Sequence, residues 1–230
     1  MRGYFLVEKR LKPKAFYKKD VILSKKSNMA YRAFKEKTLK DNFGIEFQTI
    51  RFDYLMKSIQ PTQRLIDTLE DAPLVTLSSE KALSEGIIAP VLRELKRLNP
   101  LLIQIFSGEV IIADAAQGLN GEIDFIITKE KNSIEPQAPI LCVTEAKIGR
   151  LDKAIPQVAA QMLGARVFNQ KNDEHLDIIH GLITDGTSWR LLKLEGNTVF
   201  KDEKTYFTND LPRLLGALQA IIDFYYVPTE

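Results

Sequence analysis

From residue 80 onward, hydrophobic positions recur either at helical spacing or in short continuous runs. Between 80 and 98 the apolar residues recur every three or four positions and stop at Pro100, which predicts a helix that Ser78-Ser79 can cap. Short apolar runs bounded by turn residues predict strands. The remaining predicted elements are strands at 101–106, 109–113, 121–128 and 139–147, a helix at 152–168, strands at 177–184 and 189–194, and a helix at 209–226. This order predicts an α/β fold, a mixed sheet with helices on its faces.

The pattern is weaker before residue 73. Helical spacing predicts one helix at 27–40 and another within 51–70, interrupted at Pro61. Ala72-Pro73 predicts a break between secondary-structure elements. We therefore predict a partly helical accessory region at 1–72 and a core at 73–230.

Charge is distributed unevenly between these two regions. The net charge is only +2, but residues 1–40 carry 13 Lys and Arg against 3 Asp and Glu. Such a basic N-terminal extension either contacts a polyanion or is a solvated Lys-rich arm, and the sequence leaves both interpretations open. Cys142 is the single cysteine, which excludes an internal disulfide, and no apolar run reaches the roughly 18 residues of a membrane span. A cytoplasmic protein without a membrane partner is expected.

Three charged residues interrupt two of the predicted strands. Side chains alternate along a strand, so Glu145 and Lys147 point to the same face. The loop 129–138 joins their strand to the one with Asp124, and neighbouring strands would bring Asp124 and Glu145 close at one end of the sheet. Buried carboxylates without partners are costly, and two together repel each other. A bound Mg²⁺ removes both penalties because it prefers oxygen ligands.

An acid-x-Lys triplet is weak evidence by itself. Glu94-Leu95-Lys96 and Asp202-Glu203-Lys204 have the same spacing, on a helix and in a polar, turn-like stretch. Only Glu145-Ala146-Lys147 ends an apolar strand and follows a strand that carries Gly121-x-x-Asp124. The alternative is a Glu–Lys ion pair at a strand end, with Asp124 in a turn.

Two predicted helices offer further candidates. At about 100° per residue, Glu80 falls inside the apolar face of the helix 80–98 and Glu85 falls at its edge. Glu80 is then either a metal ligand or an N-terminal residue stabilised by the helix dipole. Gln157 and Gln161, spaced i, i+4, share one face of the following helix, where a Gln either positions a water or a phosphate or simply lies at the helix edge. Which Glu and which Gln belong to the site stays open.

These residues together resemble the PD-(D/E)xK phosphodiesterase superfamily over roughly residues 78–195. The motifs that carry the resemblance are Glu80, Gly121-Glu122-Ile123-Asp124, Thr144-Glu145-Ala146-Lys147 and Gln157. The stretches 79–92 and 183–190 are similar to parts of the nuclease domain in type I restriction subunits. One departure is that Ile123, not Pro, precedes Asp124. No motor segment follows within the 230 residues, so a complete type I motor subunit is not expected.

The resemblance implies a restriction-endonuclease-like mixed central sheet with an αβββαβ core. It also implies Mg²⁺-dependent hydrolysis of phosphodiester bonds in DNA, with Mn²⁺ as a substitute. Metal ligation would fall to Asp124, Glu145, the carbonyl of Ala146 and, on the helix argument, Glu80, with Lys147 as the catalytic lysine. A homodimer is expected if both strands of a duplex are cut. The competing hypotheses are a non-catalytic nucleic-acid-binding module and an interaction protein with a structural polar network.

Overall fold

The computed structural model describes residues 31–226. Seven strands form one mixed sheet in the order β1-β7-β6-β5-β4-β3-β2. The strands are β1 (Glu46–Ile50), β2 (Ile103–Asp114), β3 (Leu119–Lys129), β4 (Ile140–Ala146), β5 (Ile178–Thr184), β6 (Ser188–Glu195) and β7 (Thr198–Phe207). The predicted α/β class, a mixed sheet flanked by helices, is confirmed.

Within the described residues, six α-helices surround this sheet. They are α1 (Glu36–Phe43), α2 (Gln63–Asp71), α3 (Glu80–Leu83), α4 (Ala89–Leu98), α5 (Ile155–Lys171) and α6 (Leu211–Tyr226). The side chain of Ser79 accepts a hydrogen bond from the Ala82 amide and so caps α3, as predicted. None of the helices within residues 31–226 has the length and apolarity needed to cross a membrane.

A π-helical turn, Ser84–Ile88, joins α3 to α4 within the stretch predicted as one helix. The turn ends two residues before Pro90, which has no amide hydrogen to donate to the carbonyl of Gly86. The missing backbone hydrogen bond is a physical reason for the wider, π-helical spacing of residues 84–88.

Strand pairing places two parallel contacts in an otherwise antiparallel sheet. β4 pairs with β5 in parallel, and α5 is the crossover between them. β1 pairs with β7 in parallel at one edge, and β2 is the other edge. Every residue of β4 and β5 is buried, as expected for strands covered on both faces. One apolar core contains α5 and the other contains α4 and α6.

Several predicted elements differ from the structure. The strands expected at 101–106 and 109–113 are one continuous strand, β2. Residues 51–62 are not helical, and α2 begins only after Pro61. The polar stretch 202–204, expected to be turn-like, lies inside β7. Of the helix predicted at 27–40, residues 27–30 lie outside the described residues, and α1 begins at Glu36.

Residues 31–72, assigned by sequence to an accessory region, contribute to the sheet and its cores. β1 extends the sheet beyond β7, and Phe52 and Leu65 belong to the same core as α4 and α6. The remainder of the basic extension, residues 1–30, lies outside the part of the chain that the structure describes.

Candidate active site at the ends of β3 and β4

The predicted neighbours β3 and β4 are antiparallel partners, with Phe125 opposite Thr144. This register brings Asp124 and the C-terminal end of β4 together. One carboxylate oxygen of Asp124 accepts a hydrogen bond of 2.7 Å from the backbone amide of Ala146. Asp124 is thereby joined to the residue between Glu145 and Lys147, and it does not lie in a turn.

A glycine opposite Asp124 interrupts the regular pleat. In the β2–β3 register Ser107 pairs with Phe125 and Glu109 with Ile123, which leaves Gly108 opposite Asp124. Gly108 has a φ of +70°, a left-handed conformation that favours glycine. Asp124 itself is half-buried, and one of its carboxylate oxygens is bonded to the next strand.

Glu145 is held by both glutamines that the sequence proposed as alternatives. Its side chain is buried, at 4% exposure, between the end of β4 and α5. Gln157 Nε2 donates to one carboxylate oxygen at 2.6 Å, and Gln161 Nε2 donates to the other at 2.8 Å. Because the i, i+4 spacing places both amides on one face of α5, both donate to the Glu145 carboxylate.

Lys147 makes two contacts to carboxylates. Its Nζ lies 3.0 Å from Glu80 Oε1 and 3.9 Å from Glu145 Oε1. Glu80 reaches Lys147 from the first turn of α3 and is itself exposed. Glu85 lies instead within the π-helical turn, 3.8 Å from Lys81. Of the two candidate glutamates, the structure therefore brings Glu80 to the lysine.

Electrostatics at this site disfavour so many negative charges. Burial, followed by the charge of Asp124, raises the pKa of Glu145 to about 7, although the Gln161 amide and Lys147 act in the opposite direction. Burial also raises the pKa of Asp124, and the charges of Glu80 and Glu122 add to this effect, while the Ala146 amide and Lys147 oppose it. Lys147 alone does not compensate the carboxylates, so the protonated form of Glu145 is populated near pH 7.

The side chains and carbonyl groups at this site can be compared with the ligands that a metal ion requires. Among residues 31–226, no group of three or more Asp, Glu, His or Cys side chains is arranged to hold a metal ion. Mg²⁺, however, is often bound by only one or two carboxylates together with water and substrate phosphate. Asp124 and Glu145, with the adjacent Ala146 carbonyl, are compatible with such a site. Glu80, which contacts Lys147, stays a predicted ligand.

The sequence did not indicate the pairing of Arg190 with Asp152. Arg190 on β6 forms a 2.5 Å ion pair with Asp152, which lies in the short turn before α5. The two residues are 38 positions apart, so no local spacing connects them. Their contact joins the short turn before α5 to β6.

No protein-family model and no curated protein matches this chain.

Proposed function

We propose that this chain is a Mg²⁺-dependent nuclease that hydrolyses phosphodiester bonds in DNA, built on a restriction-endonuclease-like core. The observation that carries the proposal is the hydrogen bond from the Ala146 amide to Asp124. It joins the aspartate of one strand to the Glu145-Ala146-Lys147 segment of the next. The acid-x-Lys segments around Lys96 and Lys204 have no such partner within the described residues.

Asp124, Glu145 and the Ala146 carbonyl would hold the metal ion, with Glu80 as a further predicted ligand. When bound, Mg²⁺ polarises the scissile phosphate and lowers the pKa of a water molecule. A bound cation would also offset the carboxylate repulsion that, after burial, raises the pKa values of Asp124 and Glu145.

The protein side chains have separate roles in this proposal. Gln157 and Gln161 fix the orientation of Glu145 and stabilise its ionised form by donating to both oxygens. Lys147, held by Glu80, orients the attacking water or stabilises the negative charge that develops on the phosphate.

The basic extension supports DNA as the substrate. Residues 1–40 carry a large excess of Lys and Arg, which would contact flanking phosphates and make binding weaken as salt increases. A homodimer would place two sites on a duplex and stays a prediction, which sedimentation of the protein with and without DNA can test.

Cleavage is tested on plasmid, linear duplex and single-stranded DNA, with Mg²⁺ or Mn²⁺. We expect metal-dependent cutting by the natural protein and none by Lys147→Ala. Lys204→Ala is the matched control, because Lys204 has the same acid-x-Lys spacing but lies in β7. Full cutting by a folded Lys147→Ala protein would refute the assignment.

A second candidate function is a non-catalytic nucleic-acid-binding protein with the same core. The observation that favours it is that Asp124, Glu145 and Lys147 all have partners within the protein. Calorimetric titration with Mn²⁺ separates the two functions. Binding that is lost in Asp124→Asn supports the nuclease, whereas salt-sensitive DNA binding without any metal binding supports the second candidate.

A further inference from the structure

The loop that follows Lys147 is fixed at both ends. Before it, the Lys147 amide donates to the Thr184 carbonyl at 2.8 Å and so continues the β4–β5 pairing. After it, Asp152 is held by Arg190 at 2.5 Å. The intervening residues 148–150 are all exposed. They connect Lys147, at the end of β4, to the turn that contains Asp152.

An apolar side chain stands at the outer part of this loop. Ile148 is 51% exposed, although it directly follows Lys147. Gly149 has a φ of +88°, and a Cβ added there would meet no atom within 4 Å. The chain therefore turns in open space beside the site, and Ile148 is not part of either apolar core.

Cations flank the exposed isoleucine. Arg150 and Lys153 are exposed and form no ion pair with any residue between 31 and 226. A single exposed isoleucine is ordinary on a protein surface. Here, however, it lies between Lys147 and two unpaired cations, which is the charge pattern that complements a phosphate backbone.

We propose that Ile148 is a wedge that inserts between bases next to the scissile phosphate, while Arg150 and Lys153 contact the flanking phosphates. Apolar side chains, isoleucine among them, insert in this way in proteins that unstack and kink DNA. The wedge makes the site selective for duplexes in which a step is already unpaired or easily unstacked, because less stacking energy is lost there. This inference rests on the proposed nuclease function and specifies its substrate.

The wedge is tested by binding, without cleavage, in the Asp124→Asn protein. Fluorescence anisotropy compares a 20-base-pair duplex (an arbitrary length of about two helical turns) with the same duplex carrying one central abasic position. We expect the second duplex to bind about tenfold more tightly, and Ile148→Ser to remove this difference with little effect on the intact duplex. Ile134→Ser is the matched control, because Ile134 is also exposed but lies in the loop at the other end of β4.

Each result decides the inference. Equal affinity for the two duplexes, or a preference unchanged by Ile148→Ser, overturns the wedge and leaves the nuclease function standing. An exposed isoleucine that serves a protein partner would give this second result. Absence of any DNA binding together with absence of cleavage overturns the nuclease function as well.

The cations have an independent readout. Arg150→Ala should reduce the slope of log affinity against log salt by about 0.9, the value for one phosphate contact on duplex DNA. Lys131→Ala, which removes the same charge from the loop at the other end of β4, should leave the slope unchanged. Equal slopes for Arg150→Ala and the parent protein would overturn the phosphate contact.

Discussion

Glu145→Gln is expected to stabilise the metal-free protein at alkaline pH while abolishing its proposed activity. The ordinary pKa of this carboxyl is 4.5, and burial beside Asp124 raises it to about 7 in the folded state. Between these two values the folded protein binds more protons than the unfolded chain. Stability therefore falls as pH rises through this window, and the full penalty is present above pH 7.

The size of the penalty follows from the shift. At about 1.4 kcal/mol per pKa unit, Glu145 lowers the free energy of unfolding by about 3 kcal/mol above pH 7. A neutral glutamine has no such penalty and keeps hydrogen-bonding capacity toward Gln157 and Gln161. Gln161 Oε1 has no hydrogen-bond partner within residues 31–226, so this amide can turn to accept. We expect a gain of roughly 1–3 kcal/mol at pH 8.

Urea unfolding with a chelator, at intervals from pH 4.5 to 8.5, measures this difference directly. Glu94→Gln is the matched control, because Glu94 is equally buried but is paired with Arg97. Glu94→Gln removes the charge with which Arg97 pairs, so this variant should be destabilised by about 1–3 kcal/mol. Added Mg²⁺ at pH 8 should stabilise the natural protein and not Glu145→Gln. A Glu145→Gln protein less stable than the natural one at pH 8 would refute the electrostatic argument.

Two further predictions concern the scaffold. Gly216→Ala should destabilise the fold by about 1–3 kcal/mol or more, because the new Cβ would lie 2.1 Å from the Lys57 carbonyl oxygen. Faster proteolysis within 51–62 would show that this segment is displaced. A variant as stable as the natural protein would contradict the close approach. Asn169→Ala should cost about 1–3 kcal/mol, since Asn169 bonds both the amide and the carbonyl of Ile140, at 2.7 and 2.9 Å. Thermal unfolding measures this loss of stability, and an unchanged midpoint would show that the two hydrogen bonds of Asn169 do not stabilise the fold.

The sequence predicted the strands at the site because their patterns are local. β3 and β4 are apolar runs, and Asp124, Glu145 and Lys147 stand out as charges within or at the end of them. The choice between Gln157 and Gln161 could not be made, because the helix places both on one face and both contact Glu145.

The missed elements depend on contacts that are distant along the chain. β7 contains the polar stretch 202–204, and the buried Asp202 is bonded by the amide of Phe52, which is 150 residues away. β1 is a five-residue edge strand whose exposure does not alternate, so it has no periodic signal. Neither a charge pattern nor a propensity predicts pairing of this kind.

The π-helical turn is the place where the segment that carries Glu80 can lose one residue without a change in the direction of its carboxylate. The turn separates Glu80, which contacts Lys147, from α4, which packs in the apolar core. Hydrogen bonds in this turn span five residues rather than four, so Ser84–Ile88 holds one residue more than an α-helical turn would. Removing one residue there would restore ordinary helical spacing and leave Glu80 facing nearly the same direction, whereas a deletion within α4 would rotate Glu80 by about 100° about the helix axis relative to the core.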